Sequence, residues 1–155
     1  MNNTKLGFSW LGLIIFILPM IINIIYAIFP PVTEGAVQGS ANKYIELIEQ
    51  CTRILYMISL VILVSKKEIN FKSLWLVLAI IFLVLYYIVW IRYFIGGRDI
   101  ALLSKSFLLI PIPLAIFPVL YFIFSALWLR NYLAVIIMII FGIAHNIVSY
   151  QTLIK

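Results

Sequence analysis

Charged residues are scarce in this sequence. Only 10% of its 155 residues are Asp, Glu, Lys or Arg, whereas 66% are apolar. Soluble globular chains carry about 25% charged and ~45–50% apolar residues. A chain this short leaves much of its surface exposed when it folds, so it cannot hide so much apolar area from water. The composition excludes a soluble enzyme and a disordered chain, and it predicts an integral membrane protein.

Cysteine is almost absent, since Cys51 is the only one. A single cysteine excludes an internal disulfide, a cysteine-based zinc site and a dithiol redox relay. The sequence has no Gly-rich phosphate loop, no nucleophile motif and no metal-ligand spacing, so we expect no cofactor and no metal. In so apolar a chain, a net charge of +6 is informative about orientation in the membrane rather than about binding to nucleic acid. We expect the lipid bilayer as a partner and no nucleic acid.

Apolar stretches of membrane-spanning length are abundant. A spanning helix needs about 20 mostly apolar residues, and five segments come close to that length. They cover residues 8–29, 42–65, 74–94, 107–129 and 132–153. The first segment is longer than the ~7–15-residue apolar region of a signal peptide, so we expect it to be retained as a helix. The sequence predicts an all-α, polytopic integral membrane protein, in which residues 1–155 form one domain, a five-helix transmembrane bundle.

Prolines interrupt the fourth apolar region. As a straight helix, residues 100–129 would be about 45 Å long, which exceeds the ~30 Å hydrocarbon thickness. Pro111 and Pro113 lack N–H groups and clash with the preceding helical turn. We therefore expect a short segment at residues 100–110 and a proline-broken fourth helix. Such breaks mark binding sites in some transporters, and elsewhere a proline only kinks a helix; both interpretations stay open.

Basic loops guide the orientation, because cytoplasmic loops carry an excess of Lys and Arg. With five spans, one side carries a single acid, Glu68, and the following basic residues: Lys5, Lys66, Lys67, Lys72 and Arg130. The other side also has basic residues, so the bias is weak. We predict a cytoplasmic N-terminus and an external C-terminus. The residue usage, rich in Ile, Lys and Asn, favours a bacterial plasma membrane.

The second helix carries the strongest polar signal. Its uninterrupted apolar run, residues 54–64, is only about 16 Å long as a helix, so the spanning part must reach back towards Glu46. One face, within an arc of about 100°, carries Glu46, Glu49, Gln50 and Arg53. Each charge facing lipid would cost about 2.5–3.5 kcal/mol. We expect this face to point into the bundle or a watery cleft, with Glu49 and Arg53 paired across one turn; the alternative is an amphipathic turn outside the membrane.

Polar and aromatic residues of the other helices lie at a similar height. Together with the face of the second helix they form a predicted ligand pocket in the outer leaflet. The further candidates are Asn23, Tyr26, Tyr86, Trp90, Arg92, Lys105, His145 and Asn146. Each also has an ordinary role, in the interfacial aromatic belt, in hydrogen bonds between helices or in snorkelling to headgroups.

Three functions stay open on the sequence alone. Cations outnumber acids around the predicted pocket, which favours a protein that binds or transports a small amphipathic or anionic ligand. The second function is a non-catalytic accessory, immunity or assembly subunit whose polar face meets another membrane protein or a second copy of the chain. The third is an intramembrane enzyme that uses Glu49 or Glu46 with His145 as acid and base. No catalytic residue can be assigned, and a non-enzymatic role is favoured.

Overall fold

The computed structural model describes residues 4–32 and 41–153, and most of them are helical. One short strand, β1 (Thr4–Leu6), precedes the first helix, and a second strand, β2 (Leu63–Ser65), follows the second helix. The helices are α1 (Trp10–Ile28), α2 (Lys43–Ile62), α3 (Leu74–Ile95), α4 (Ala101–Ser104), α5 (Pro113–Trp128) and α6 (Tyr132–Leu153).

Three of these helices are long and apolar enough to cross a membrane: α1, α3 and α6. Their outer surfaces are also apolar. On α1, for example, the exposed side chains include Ile14, Ile17, Ile21, Ile24 and Ile28. Isoleucine rows of this kind would be unfavourable in water and are suited to lipid. The chain is therefore a mostly helical membrane protein.

The end of α2 differs from the sequence prediction of one helix over residues 42–65. The helix ends at Ile62, and the next three residues pair antiparallel with β1. The last carbonyls of a helix have no helical donor. Here the carbonyls of Val61 and Ile62 accept hydrogen bonds from Ser9 N at 2.7 Å and Gly7 N at 2.9 Å. The small sheet is thus a correction to the all-α prediction.

The helix in the fourth apolar region also has bounds that differ from the predicted ones. The helix α5 begins at Pro113 rather than at residue 107, and the segment before it contains only the single turn α4. Between them, Phe107 and Ile110 exchange backbone hydrogen bonds of 3.0 and 2.9 Å across a tight turn. Proline has no N–H to donate, and the first helical position is where that loss matters least, which is why α5 starts at Pro113.

The helix α5 occupies the centre of the molecule, packed against α3 on one side and α6 on the other, while α2 packs against α6. The first helix contacts α2, α5 and α3, and its contacts with α2 and α3 lie at different heights. Near its start, Gly12 lies against the Leu60 carbonyl so closely that a Cβ atom would be 2.1 Å from that oxygen. Farther along, Asn23 accepts a hydrogen bond from Tyr86 of α3. The helix α1 therefore reaches from α2 at one end to α3 at the other.

A tyrosine of α5 compensates for a proline inside α1. Pro19 cannot donate the hydrogen bond that the carbonyl of Ile15, four residues earlier, would accept in a regular helix. The Tyr121 hydroxyl donates to that carbonyl at 2.8 Å, and the Tyr121 side chain is only 3% exposed. In a lipid environment a carbonyl without a donor is unfavourable, so this contact ties α1 to α5.

Replacing Tyr121 with Phe should lower the thermal stability in detergent, because the Ile15 carbonyl loses its donor. We expect a loss of about 1 kcal/mol, within the range of single hydrogen bonds between membrane helices. In a Pro19→Ala background the Ile15 carbonyl regains a helical donor, and Tyr121→Phe should have little effect. Tyr132→Phe, at an exposed tyrosine, is the matched control. An equal loss in both backgrounds would contradict the compensation.

Candidate functional site

A cavity of about 600 Å³ lies among the five long helices, and each of them contributes to its wall. This volume falls within the ~300–1,000 Å³ that is typical of small-molecule sites. Much of the wall is apolar and adaptable, since it includes Met20, Met57 and Met138, three of the four methionines in the sequence. Methionine side chains fill irregular space and adjust to different partners. The cavity can therefore accept an apolar group of variable shape.

One polar group of the cavity, here called the Glu49 cluster, consists of Glu49, Arg53 and His145. Arg53 and His145 line the cavity, and Glu49 contacts both. The Glu49 side chain is only 7% exposed. Its Oε1 atom accepts a hydrogen bond from the Arg53 guanidinium and lies 3.0 Å from His145 Nδ1. One carboxylate oxygen thus joins α2 to α6 and holds two side chains of the wall.

The aromatic ring of Phe141 contacts both Arg53 and His145 of this cluster. The Phe141 ring stacks on the His145 imidazole, with 5.1 Å between the ring centroids. The Arg53 guanidinium carbon lies 5.6 Å from the centroid of the same Phe141 ring, which is within cation–π distance. The positions of both cavity-lining groups are therefore fixed by Glu49 and by Phe141.

A second polar group lies where α1 meets α3, and Trp90 is its central residue. The Tyr86 hydroxyl donates to Asn23 Oδ1 at 2.8 Å, and the Tyr26 ring packs on Trp90 at 5.1 Å between centroids. Trp90 is only 6% exposed, and its indole N–H has no hydrogen-bond partner within the described residues. Buried polar groups are nearly always paired. The indole nitrogen itself is covered by protein atoms, so Trp90 presents its ring rather than this donor to the cavity.

The structure brings many of the predicted pocket residues together. Five of them line the cavity: Asn23, Arg53, Tyr86, Trp90 and His145. Two more support it from behind, Glu49 through its hydrogen bonds and Tyr26 through its ring contact with Trp90. The pairing of Glu49 with Arg53 follows the one-turn spacing that the sequence shows.

Other predicted pocket residues do not line the cavity. On α2, Gln50 is exposed and Glu46 is half-buried, because only the part of the polar face that carries Glu49 turns towards α6. Arg92 instead binds α4 and the residues directly after it, donating to the carbonyls of Leu102, Lys105 and Ser106.

Lys105 and Asn146 are also outside the cavity. The Lys105 residue is exposed. Asn146 donates to the Gly142 carbonyl at 2.7 Å and lines a separate shallow groove on α5 and α6. A polar side chain in an apolar helix can bind its own backbone in this way, so its residue type does not identify it as part of a pocket.

Several wall residues are missing from the sequence prediction. They are mostly apolar residues that lie within apolar runs of the sequence, among them Phe16, Met57, Phe122 and Met138. Composition gives no signal for such positions. Pro19 and Pro118 also line the cavity, and a proline inside a spanning helix is the one signal that could have indicated part of this wall.

Comparison with known proteins gives no assignment: no protein family, no curated protein and no solved structure matches this chain.

Glu49→Gln and Arg53→Met should each lower the thermal stability, because each removes one member of a charge pair. Breaking a fully buried pair costs up to ~3–5 kcal/mol, and less where one partner reaches solvent. The Arg53 side chain is 57% exposed and that of Glu49 only 7%, so Arg53→Met, which leaves the buried carboxylate without its cation, should cost at least as much as Glu49→Gln. Melting temperatures in detergent would measure both losses.

The control for this series is Glu46→Gln, which changes a half-buried carboxylate of the same helix and should be almost silent. The double variant Glu49→Gln with Arg53→Met should recover part of the loss, because neither charge is then left alone. Equal melting of the parent and Glu49→Gln would show that Glu49 is solvated and does not organise the cavity wall.

Proposed function

We propose that this chain is a multi-pass protein of five spanning helices that binds a small amphipathic ligand within the membrane, as a binding protein or a transporter. One observation carries the proposal: a cavity inside the helix bundle combines an adaptable apolar wall with two separate polar groups. An apolar cavity alone would suit a lipid tail or no ligand, whereas Arg53 and His145 of the Glu49 cluster provide contacts for a polar head. That combination is the usual chemistry of a ligand site.

Five spans are supported by the positions of α2 and α5 beside the three long apolar helices. At 1.5 Å per residue, the 20 residues of α2 measure about 30 Å and the 16 residues of α5 about 24 Å. The helix α5 is enclosed by α3 and α6, so a modest shortfall in length is covered by protein. Fewer charged side chains of α2 would face lipid, because the Glu49 side chain is buried inside the bundle.

The orientation is supported by the basic residues at one end of the molecule. Lys5 lies in β1, which pairs with β2 directly before Lys66 and Lys67. The indole N–H of Trp128 donates to the Asn70 carbonyl at 2.9 Å, which brings the end of α5 to the same loop. We propose that this end is cytoplasmic, in a bacterial plasma membrane, and that the second polar group faces the outer half.

A reporter fused to the C-terminus should be active only where exported domains fold, because five spans and a cytoplasmic N-terminus place Lys155 outside. A fusion after Lys72, in the loop between α2 and α3, is the matched control and should report a cytoplasmic position. A cytoplasmic signal from the C-terminal fusion would contradict either the number of spans or their direction.

Binding can be tested by quenching of Trp90 with brominated amphiphiles, because bromine quenches indole fluorescence only at contact. One variant keeps Trp90 alone, with Trp10, Trp75 and Trp128 changed to Phe, and a matched variant keeps Trp128 alone. Both tryptophans are 6% exposed, but only Trp90 lines the cavity. We expect saturable quenching of Trp90 by an ω-bromoalkanol or an ω-bromoalkyl sulfonate, and none of Trp128.

Equal quenching of the two tryptophans would mean that the probe enters by general partitioning. Absence of saturable quenching of Trp90 by either probe would contradict the binding function.

A further inference from the structure

We infer that the cavity takes up an anionic amphiphile together with one proton, which His145 holds beside Glu49. This inference rests on the proposed binding function and specifies the charge of the ligand and its coupling to pH. It is carried by the geometry of the Glu49 cluster and by the balance of charge around the cavity.

In the described part of the chain, the basic side chains of the cavity wall face a single acid behind it. Among the described residues that line the cavity, Arg53 and His145 are the basic ones and no carboxylate is present. Glu49 is in contact with both from behind. With a neutral imidazole, Glu49 and Arg53 cancel and the cluster has no net charge. An anion entering alone would leave one uncompensated negative charge in a medium of low polarity, which is strongly unfavourable.

A proton on His145 removes that imbalance. Protonated imidazole is a donor at both ring nitrogens, and Nδ1 already lies 3.0 Å from the Glu49 carboxylate, so the added charge has an acceptor in place. Arg53 has five N–H donors, and its half-exposed guanidinium can keep its bond to Glu49 and still bind an anion. Ligand anion, Arg53, His145 and Glu49 then sum to zero.

No other group of the wall can take this role near neutral pH. The groups that α1 and α3 contribute to the polar wall, Asn23 and the Tyr86 hydroxyl, are uncharged there, and α5 contributes apolar side chains. The Tyr56 hydroxyl of α2 donates to the Phe122 carbonyl at 3.0 Å. His145 is the only histidine of the sequence, and histidine is the side chain that ordinarily titrates between about pH 5 and 8.

A cationic amphiphile is disfavoured by the same wall. It would meet Arg53 directly, while Glu49, the only acid in contact with the wall residues among the described part of the chain, already accepts from Arg53 and faces His145. The cavity therefore distinguishes amphiphiles by the sign of their heads.

The test uses the variant that keeps Trp90 alone, in nanodiscs of zwitterionic lipid, with three probes of equal chain length. These are an ω-bromoalkyl sulfonate, an ω-bromoalkanol and an ω-bromoalkyl trimethylammonium salt, none of which changes charge between about pH 5.5 and 8. Binding that takes up a proton strengthens as pH falls. We expect the sulfonate affinity to rise by up to about tenfold per pH unit, the alkanol affinity to stay constant and the ammonium probe to bind weakest.

His145→Gln removes the titrating group, so it should flatten the pH profile of the sulfonate and weaken its binding while the alkanol still binds. If the alkanol binds but the sulfonate binds no better than the ammonium probe, or binds without pH dependence, the inference is overturned and the binding function stands. If no probe quenches Trp90 in a saturable manner, both fail.

Discussion

One buried carboxylate organises the polar interior of this molecule. Glu49 lies on a helix that is surrounded mostly by apolar groups, and a charged side chain in such surroundings needs partners. Its Oε1 atom contacts Arg53 one turn away and His145 on a different helix. The first contact compensates the charge within α2, and the second joins α2 to α6. Both partners line the cavity, so the position of this carboxylate determines where the cavity wall carries its basic side chains.

Two prolines line the same cavity as this cluster, Pro19 of α1 and Pro118 of α5. A proline leaves the carbonyl four residues earlier without its helical donor. For Pro19 this is the Ile15 carbonyl, and the Tyr121 hydroxyl donates to it; the Tyr87 hydroxyl donates to the Leu18 carbonyl. Neighbouring helices therefore supply donors to the backbone of α1, which is the condition under which membrane proteins tolerate such prolines.

The sequence predicted well what depends on local pattern. The bounds of α3 and α6 agree with the predicted segments 74–94 and 132–153 to within one residue, because long uniform apolar runs between capping and polar residues leave little ambiguity. The Glu49–Arg53 pair follows from helical spacing alone. The functional role of these residues stays a prediction.

What depends on distant partners could not be predicted. The early end of α2 is set by hydrogen bonds to Gly7 and Ser9, which lie more than fifty residues earlier in the chain. Asn131, which is fully buried, donates to the Ser59 carbonyl at 2.7 Å and accepts from Ala134 N, so it joins the end of α2 to the start of α6. Its place directly before α6 is a local N-cap signal, but no local pattern indicates its bond to Ser59. The apolar wall of the cavity is hidden for a similar reason, since lipid-facing and cavity-facing methionines or isoleucines look alike in sequence.

The central claim is that a small molecule occupies the cavity in the membrane. Native mass spectrometry of the protein released from its own membrane tests this most directly, with two variants that differ by one position on α2. Met57 lines the cavity, so Met57→Trp would fill it, whereas Ile58→Trp adds the same bulk to an exposed position. We expect a small amphiphile to be bound to the parent and to Ile58→Trp, and to be lost from Met57→Trp. The same bound species on all three proteins, or none on any of them, would contradict it.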